Sequence, residues 1–248
     1  MSDILMTLFK IYIVVTVIKV IIDFTFYRGE IDAAMDRDPA ATNPFAVMFL
    51  YPGYKAIKYH RIAHVLHTMR IPIAPRLLSS WARFWTGIEI HPGAQIGKGL
   101  FIDHGMGTVI GETTIIGDDV TLFQQVTLGG TGKECGKRHP TIGNKVVIGA
   151  GAKVLGNITI GESAFVGANA VVIRDVPQAS TVVGVPGRVA KNQGRLMAGI
   201  NLDHTHLPDP LTKSLDNLQH EIDSIESQIK DFHGLDKTKP KADKDSDA

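Results

Sequence analysis

At 248 residues and 44% hydrophobic content, the chain is long enough for one large domain with appendages and a sizeable buried core. Lys and Arg total 26 against 25 Asp and Glu, so no net field argues for nucleic acid or a strongly anionic partner, and small-molecule chemistry is favoured. The one cysteine, Cys135, excludes an intrachain disulfide framework and a multi-cysteine metal site. It fits a reducing compartment, so the cytoplasm is the expected location.

The N-terminal stretch from Ile4 to Phe26 is largely apolar and includes the uncharged run Ile11 to Ile18. Lys10 and Lys19 interrupt it and, at about 100° per residue, point to opposite sides of a helix. Neither a clean span nor a clean amphipathic face results, and the absence of a small-residue cleavage site argues against a signal peptide. Three readings stay open: a helix packed in or between subunits, membrane-surface contact through residues 4–26, and a true span. Up to residue 87 the chain reads as a helical N-terminal domain, punctuated at Pro39, Asn43-Pro44, Tyr51-Pro52-Gly53 and Ile71-Pro72. Tyr54, Ile57, Ala63, Val65, Leu66 and Met69 give one amphipathic helix within it.

From Ile90 an aliphatic residue recurs every six positions: Ile90, Ile96 and Ile102, then, after a two-residue phase shift, Ile110, Ile116, Leu122 and Leu128. The series resumes at Ile142 and runs through Ile148, Val154, Ile160, Val166 and Val172, commonly with glycine next. Each unit of six predicts a short strand plus a turn, with the aliphatic side chain inward and the glycine supplying turn conformations. Three units close a triangular coil, and stacked coils bury one aliphatic column. The expected domain covers 88–192, with a glycine-rich excursion loop at 129–141.

Breaks in the pattern are the places to look for chemistry. Asp103-His104-Gly105 puts a titratable pair on what is expected to be a regular strand, and the excursion has the character of a functional loop on a rigid scaffold. A general base that must gain and lose a proton near neutral pH is most simply a histidine. Of ten histidines, His60, His64, His67, His204, His206, His220 and His233 fall on helical or polar segments and read as solvated or packing residues. His91 also reads as structural, which leaves His104 and His139. Residues 193–233 form a linker and a C-terminal helix, in which Leu215, Leu218, Ile222, Ile225, Ile229 and Phe232 alternate spacings of three and four. This is a heptad seam whose isoleucines favour three strands, although a helix lying on its own subunit fits the same pattern. Residues 234–248 are Lys-, Asp- and Pro-rich and are expected to be disordered.

The strings Glu89-Ile90-His91-Pro92, Ile102-Asp103-His104-Gly105, Val126 to Lys133, Arg138-His139-Pro140, Ile148 to Lys153 and Gly184-Val185-Pro186-Gly187 resemble, in that order, the signature of bacterial serine acetyltransferases. Arg37-Asp38-Pro39-Ala40 matches as well, and the resemblance spans roughly residues 30 to 192. It implies an α+β chain: an N-terminal helical segment, a left-handed parallel β-helix of hexapeptide repeats, then the coiled-coil-like helix. It further implies a homotrimer or dimer of trimers with active sites between subunits, and acetyl-CoA and L-serine as substrates with no metal.

By the matching motifs, His104 is the general base, His139 binds and orients serine, Arg138 holds the serine carboxylate, and Asp38 and Asp103 face the ammonium. Gly130, Thr131 and Ala150 lie along the coenzyme. The family's acidic residue before Ile-His-Pro, commonly aspartate as partner of the catalytic histidine, is Glu89 here. From the residues alone, Asp38 also fits a helix N-cap, Gly130 a turn and Arg138 a solvated side chain. The family's docking of cysteine synthase through a tail ending in isoleucine meets a chain ending Ser246-Asp247-Ala248, which weighs against that complex.

Other readings are an acetyltransferase for a sugar or xenobiotic hydroxyl, a zinc carbonic anhydrase of the hexapeptide type, and a non-catalytic scaffold. The first is disfavoured by the Arg138 and Asp38 charges, and the second needs three histidine ligands.

Overall fold

The computed structural model describes residues 2–132, 135–192 and 210–236. Met1–Pro208 belongs to one compact unit and Asp209–Ala248 to a second.

Five helices open the first unit: α1 (Ser2–Phe26), α2 (Arg28–Arg37), α3 (Pro44–Leu50), α4 (Pro52–Thr68) and α5 (Ala74–Thr86). Their ends follow local chemistry. Pro39 cannot continue α2, so Asp38 becomes its C-cap, with its N–H bonded to the Ala34 carbonyl; the N-cap expectation for Asp38 is thereby corrected. Asn43 caps α3 by accepting from the Phe45 N–H at 2.8 Å, with Pro44 in the first turn, where its missing N–H costs nothing. Gly87 closes α5 in the left-handed conformation, φ 70°.

Fifteen short strands then wind a three-faced column. Face I holds β1 (Glu89–Ile90), β4 (Val109–Ile110), β7 (Thr127–Gly129), β10 (Lys153–Leu155) and β13 (Val171–Val172). Face II holds β2 (Gln95–Ile96), β5 (Ile115–Ile116), β8 (Thr141–Ile142) and β11 (Thr159–Ile160). Face III holds β3 (Phe101–Ile102), β6 (Thr121–Leu122), β9 (Val147–Ile148), β12 (Phe165–Val166), β14 (Ser180–Val183) and β15 (Arg188–Asn192). All pairs are parallel except β14 with β15, the architecture of a left-handed β-helix.

The period of six becomes vertical register. Ile90, Ile110, Leu128, Val154 and Val172 stack on face I, and Ile102, Leu122, Ile148, Val166 and Val182 on face III. These side chains fill one continuous core, each worth roughly 1.5–3 kcal/mol of burial. Departures from a spacing of 18 locate the insertions. Ile102 to Leu122 is 20, which places the two extra residues in the corner between β3 and β4, and Ile116 to Ile142 is 26, which places eight in the excursion loop.

One expectation about the repeats is corrected. The glycine after each aliphatic residue does not supply the turn; positive φ falls further along the corner, at Asp119, Lys145, Ser163 and Asn169. The glycine is needed because the next coil lies on top of it, so that a Cβ at Gly149 would sit 2.7 Å from the Ala168 nitrogen.

The helices are fastened to the lower coils. A Cβ at Gly53 would sit 2.1 Å from the Ile102 carbonyl oxygen, which shows how closely the start of α4 approaches β3. Arg37 donates to the Gly99 and Val120 carbonyls at 3.0 and 3.2 Å and pairs with Asp119 at 3.0 Å. The second unit contains α6 (Pro210–Asp236), which ends three residues beyond the expected boundary at 233, with Leu215, Leu218, Ile222, Ile225 and Ile229 exposed along one seam. Residues 193–209 and 237–248, the expected linker and most of the expected tail, lie outside the described residues.

Candidate active site

The widened corner joining face III to face I, here corner III–I, spans 103–108 where the next coil spends only 123–126. Asp103 and His104 therefore lie in a turn rather than on the expected strand, with His104 at φ 55°. The turn is tied down by the Gly107 N–H to the Gly87 carbonyl at 2.8 Å and the Thr108 N–H to the Gly105 carbonyl at 3.0 Å. The imidazole it presents is 74% exposed, with its Nε2 3.8 Å from Asp103 Oδ2. A histidine held this way is free to exchange protons with a bound ligand.

Asp38 belongs to the same corner. Its Oδ1 accepts from the Ala40 N–H at 2.8 Å and its Oδ2 from the Tyr51 hydroxyl at 2.6 Å. The carboxylate pushes the Tyr51 phenol up to about 12, chiefly through that hydrogen bond, so Tyr51 stays a donor across the working pH range. Burial raises the Asp103 pKa, His104 opposes the rise, and the negative charge of Asp38 adds to it. Two carboxylates beside one another are a receptor for a cation, because an ammonium relieves their repulsion. Tyr51 escaped the sequence reading, where it served only as helix punctuation.

Glu89 starts β1, immediately below this corner: its N–H bonds to the Thr108 carbonyl at 2.9 Å, and a Cβ at Gly105 would meet Ile88 Cδ1 at 2.4 Å. Within the subunit its carboxylate takes a hydrogen bond from Arg83 at 2.9 Å rather than from His104.

His139 and Arg138 occupy the other edge of face I, corner I–II, where the excursion loop folds down over Glu112 and Thr113. The Thr113 hydroxyl accepts from the Arg138 and His139 N–H groups at 3.0 and 3.1 Å. The Thr113 N–H donates to His139 Nδ1 at 3.2 Å, with its hydroxyl 2.9 Å from the same atom. Nδ1 is thus an acceptor and the ring proton belongs on Nε2. Burial, with Arg138 and Lys137 nearby, pushes the His139 pKa down, so the ring stays neutral. Lys137 fastens the loop by donating to the carbonyls of Thr113, His139 and Pro140 at 2.7, 2.6 and 3.2 Å. The Arg138 guanidinium pairs with Glu112, which holds the Glu112 carboxyl below its usual range. Glu112, Thr113 and Lys137 were missed because the loop places partners 24 to 26 residues apart, outside the repeat spacing.

The coenzyme candidates divide the same way. Ala150 lies on corner III–I two coils above His104, about 10 Å along the column. Between them Gln124 leaves its Oε1 buried without a partner. Gly130 and Thr131 lie on the loop, where a Cβ at Gly130 would approach His139 Nε2 to 3.3 Å.

The two groups are separated by one side of the triangle, about six residues or up to 20 Å. One corner offers a base and paired carboxylates; the other offers a guanidinium and a neutral imidazole donor. A zinc site of three histidines is not assembled among the described residues.

A three-sided column carrying such a base defines a hexapeptide acyltransferase, and residues 139–174 match the family model described as bacterial transferase hexapeptide (six repeats). The serine acetyltransferase of Synechococcus elongatus is 54% identical over 194 residues, covering 78% of this chain and 79% of that protein. The Brucella abortus serine acetyltransferase in complex with coenzyme A aligns with a TM-score of 0.67 at 42% identity, covering 69% of each chain. The Neisseria gonorrhoeae serine acetyltransferase in complex with serine aligns at 0.64 and 41%, covering 65% of this chain and 66% of that one. The chain belongs to the serine acetyltransferase family.

Proposed function

We propose that the chain transfers the acetyl group of acetyl-CoA to the hydroxyl of L-serine, giving O-acetylserine for cysteine biosynthesis, at sites shared between neighbouring subunits of a homotrimer. The observation that carries this reading is the division of charge between the two corners. A zwitterionic amino acid needs both halves, and one subunit keeps them too far apart. Corner III–I of one subunit set against corner I–II of the next brings them together. Pairing two different patches is a head-to-tail contact, which closes into a ring, and three copies suit a triangular column. The exposed isoleucine seam of α6 supports three strands. Free Cys135 supports the cytoplasm as the compartment.

In this arrangement Asp38 and Asp103 receive the serine ammonium and Arg138 the carboxylate, which turns the hydroxyl toward His104 Nε2. His104 takes the hydroxyl proton as the oxygen attacks the thioester carbonyl. The tetrahedral intermediate collapses with cleavage of the carbon–sulfur bond, and the coenzyme A sulfur leaves with the proton that His104 held. His139, neutral with its proton on Nε2, is a donor for the serine carboxylate or the developing oxyanion. Glu89, at the start of β1 below the corner, is the carboxylate available to fix the tautomer of the His104 ring. Small residues at Gly130, Thr131 and Ala150 leave room for the pantetheine arm.

The test follows coenzyme A release with serine, homoserine and a sugar acceptor. Serine is expected to be fastest; equal rates would remove the substrate assignment. Mixing His104→Ala with Arg138→Ala subunits addresses the shared site: each homotrimer is inactive, and random mixing restores about a quarter of the sites. No recovery on mixing would refute the shared site while leaving the activity standing.

A further inference from the structure

Helix α1 has a feature that acetyl transfer does not use. Ile4–Phe26 contains an 18-residue window of mean hydropathy 2.3, none of which is buried within the subunit; contact with the rest of the protein begins at the domain end, where Val20 is partly buried and Asp23 wholly so. A helix that packs on protein shows an apolar stripe, whereas one surrounded by apolar solvent is apolar all round. Ile11, Tyr12, Ile13, Val14 and Val15 step around the whole circumference, and each is between 45% and 67% exposed. No stripe is left over for a polar side.

The dimensions and charges select the solvent. Residues 4–22 span about 28 Å, close to the roughly 30 Å hydrocarbon thickness of a bilayer. That stretch contains Lys10 and Lys19 and no acidic residue. Lys19 lies at the domain end, where it pairs with Asp23 at 2.8 Å and stands 4.0 Å over the Phe49 ring. Lys10 lies about 9 Å from the outer end, within reach of lipid phosphates for a flexible four-carbon stem. Packing α1 on a second, parallel α1 would cover one face and leave the rest of its apolar circumference in water.

The junction is rigid. Asp23 is wholly buried between Lys19 and Lys58, and Phe24 packs edge-on to Phe45 with ring centres 6.2 Å apart. Helix α3, thus held beside the base of α1, exposes Phe45, Phe49 and Leu50. Aromatic side chains in this position match the headgroup boundary.

We propose that α1 is a bilayer anchor: residues 4–22 insert into lipid and hold the acetyltransferase domain against the membrane surface. The inference is independent of the acceptor that His104 serves. Lipid is the chosen occupant of this surface, and a second copy of the helix is the competing outcome.

The test is flotation of the full chain with vesicles of phosphatidylcholine alone, which carry no net charge. The wild-type chain is expected to float and to resist both high salt and alkaline carbonate. The double variant Val14→Asp, Ile18→Asp is expected to lose about tenfold or more of the floating fraction while releasing coenzyme A at the wild-type rate, which shows that it is folded. Three results would overturn the anchor: a wild-type chain that stays monodisperse without detergent and does not float; flotation only with anionic vesicles and reversed by salt, the signature of surface adsorption; or a purified chain whose N-terminus begins beyond Phe26, the signature of a cleaved signal.

Discussion

His104 and His139 sit on adjacent corners of one column, the first 74% exposed and the second 8%. His104 has Asp103 Oδ2 at 3.8 Å; His139 has its Nδ1 bound by Thr113 and its loop pinned by Lys137. One imidazole is left open to a ligand and the other is clamped by its neighbours. A base must cycle between two states, while a group that positions substrate works best in one, and this contrast is the reason we propose His104 as the base and His139 as the positioning group.

The largest effect should come from the free imidazole. His104→Ala is expected to lower kcat for acetyl transfer about a hundred- to ten-thousand-fold, read by coenzyme A release. The melting temperature should hold, because the side chain supports no packing. A variant that keeps its turnover would remove His104 from the chemistry and dissolve the contrast.

The clamped corner can be broken from below. A Cβ at Gly111 would lie 1.9 Å from His139 Cδ2, so Gly111→Ala must displace the ring although it alters no polar group. Acetyl transfer is expected to fall about ten- to a hundredfold, mostly in the KM for serine. Gly136→Ala, in the same loop but with nothing within 4 Å of its Cβ, is the control and should leave the rate unchanged. Equal behaviour of the two variants would show that the position of His139 does not matter.

Period six made the column legible because burial repeats with the coil, and breaks in the period marked both corners. What the breaks contain was only partly legible. Asp38, Asp103, His104, Arg138 and His139 stood out as charged or titratable residues inside motifs. Tyr51, Glu112 and Thr113 did not, because their roles come from register: the loop adds eight residues and brings Thr113 beneath His139, 26 positions away. The glycines were assigned the wrong physics for a related reason. Their constraint comes from the coil above, which no local reading of six residues contains.

A subtler measure of the contrast is the pH dependence of the KM for serine. Burial raises the Asp103 pKa against the pull of His104, and the Asp38 charge adds to the rise, so Asp103 takes up its proton at a higher pH than an ordinary aspartate and then loses the charge that faces the ammonium. The KM for serine is expected to rise as the pH falls toward that protonation, and Asp103→Asn should raise it at neutral pH and flatten the dependence. An unchanged profile in the variant would remove Asp103 from the ammonium site.

Smallest is the effect expected at Tyr51. Its hydroxyl donates to Asp38 Oδ2 at 2.6 Å, and with its pKa pushed up to about 12 it keeps that proton wherever the enzyme works. Tyr51→Phe leaves Asp38 its Ala40 N–H but frees one carboxylate oxygen to turn away from the corner. The KM for serine should rise a few-fold, roughly the worth of one hydrogen bond to a charged group, with kcat nearly unchanged. Tyr51 keeps its proton throughout that range, so the change should be the same at every pH. Asp103→Asn flattens the pH profile and Tyr51→Phe does not, which distinguishes a carboxylate that titrates from a hydroxyl that steadies its neighbour.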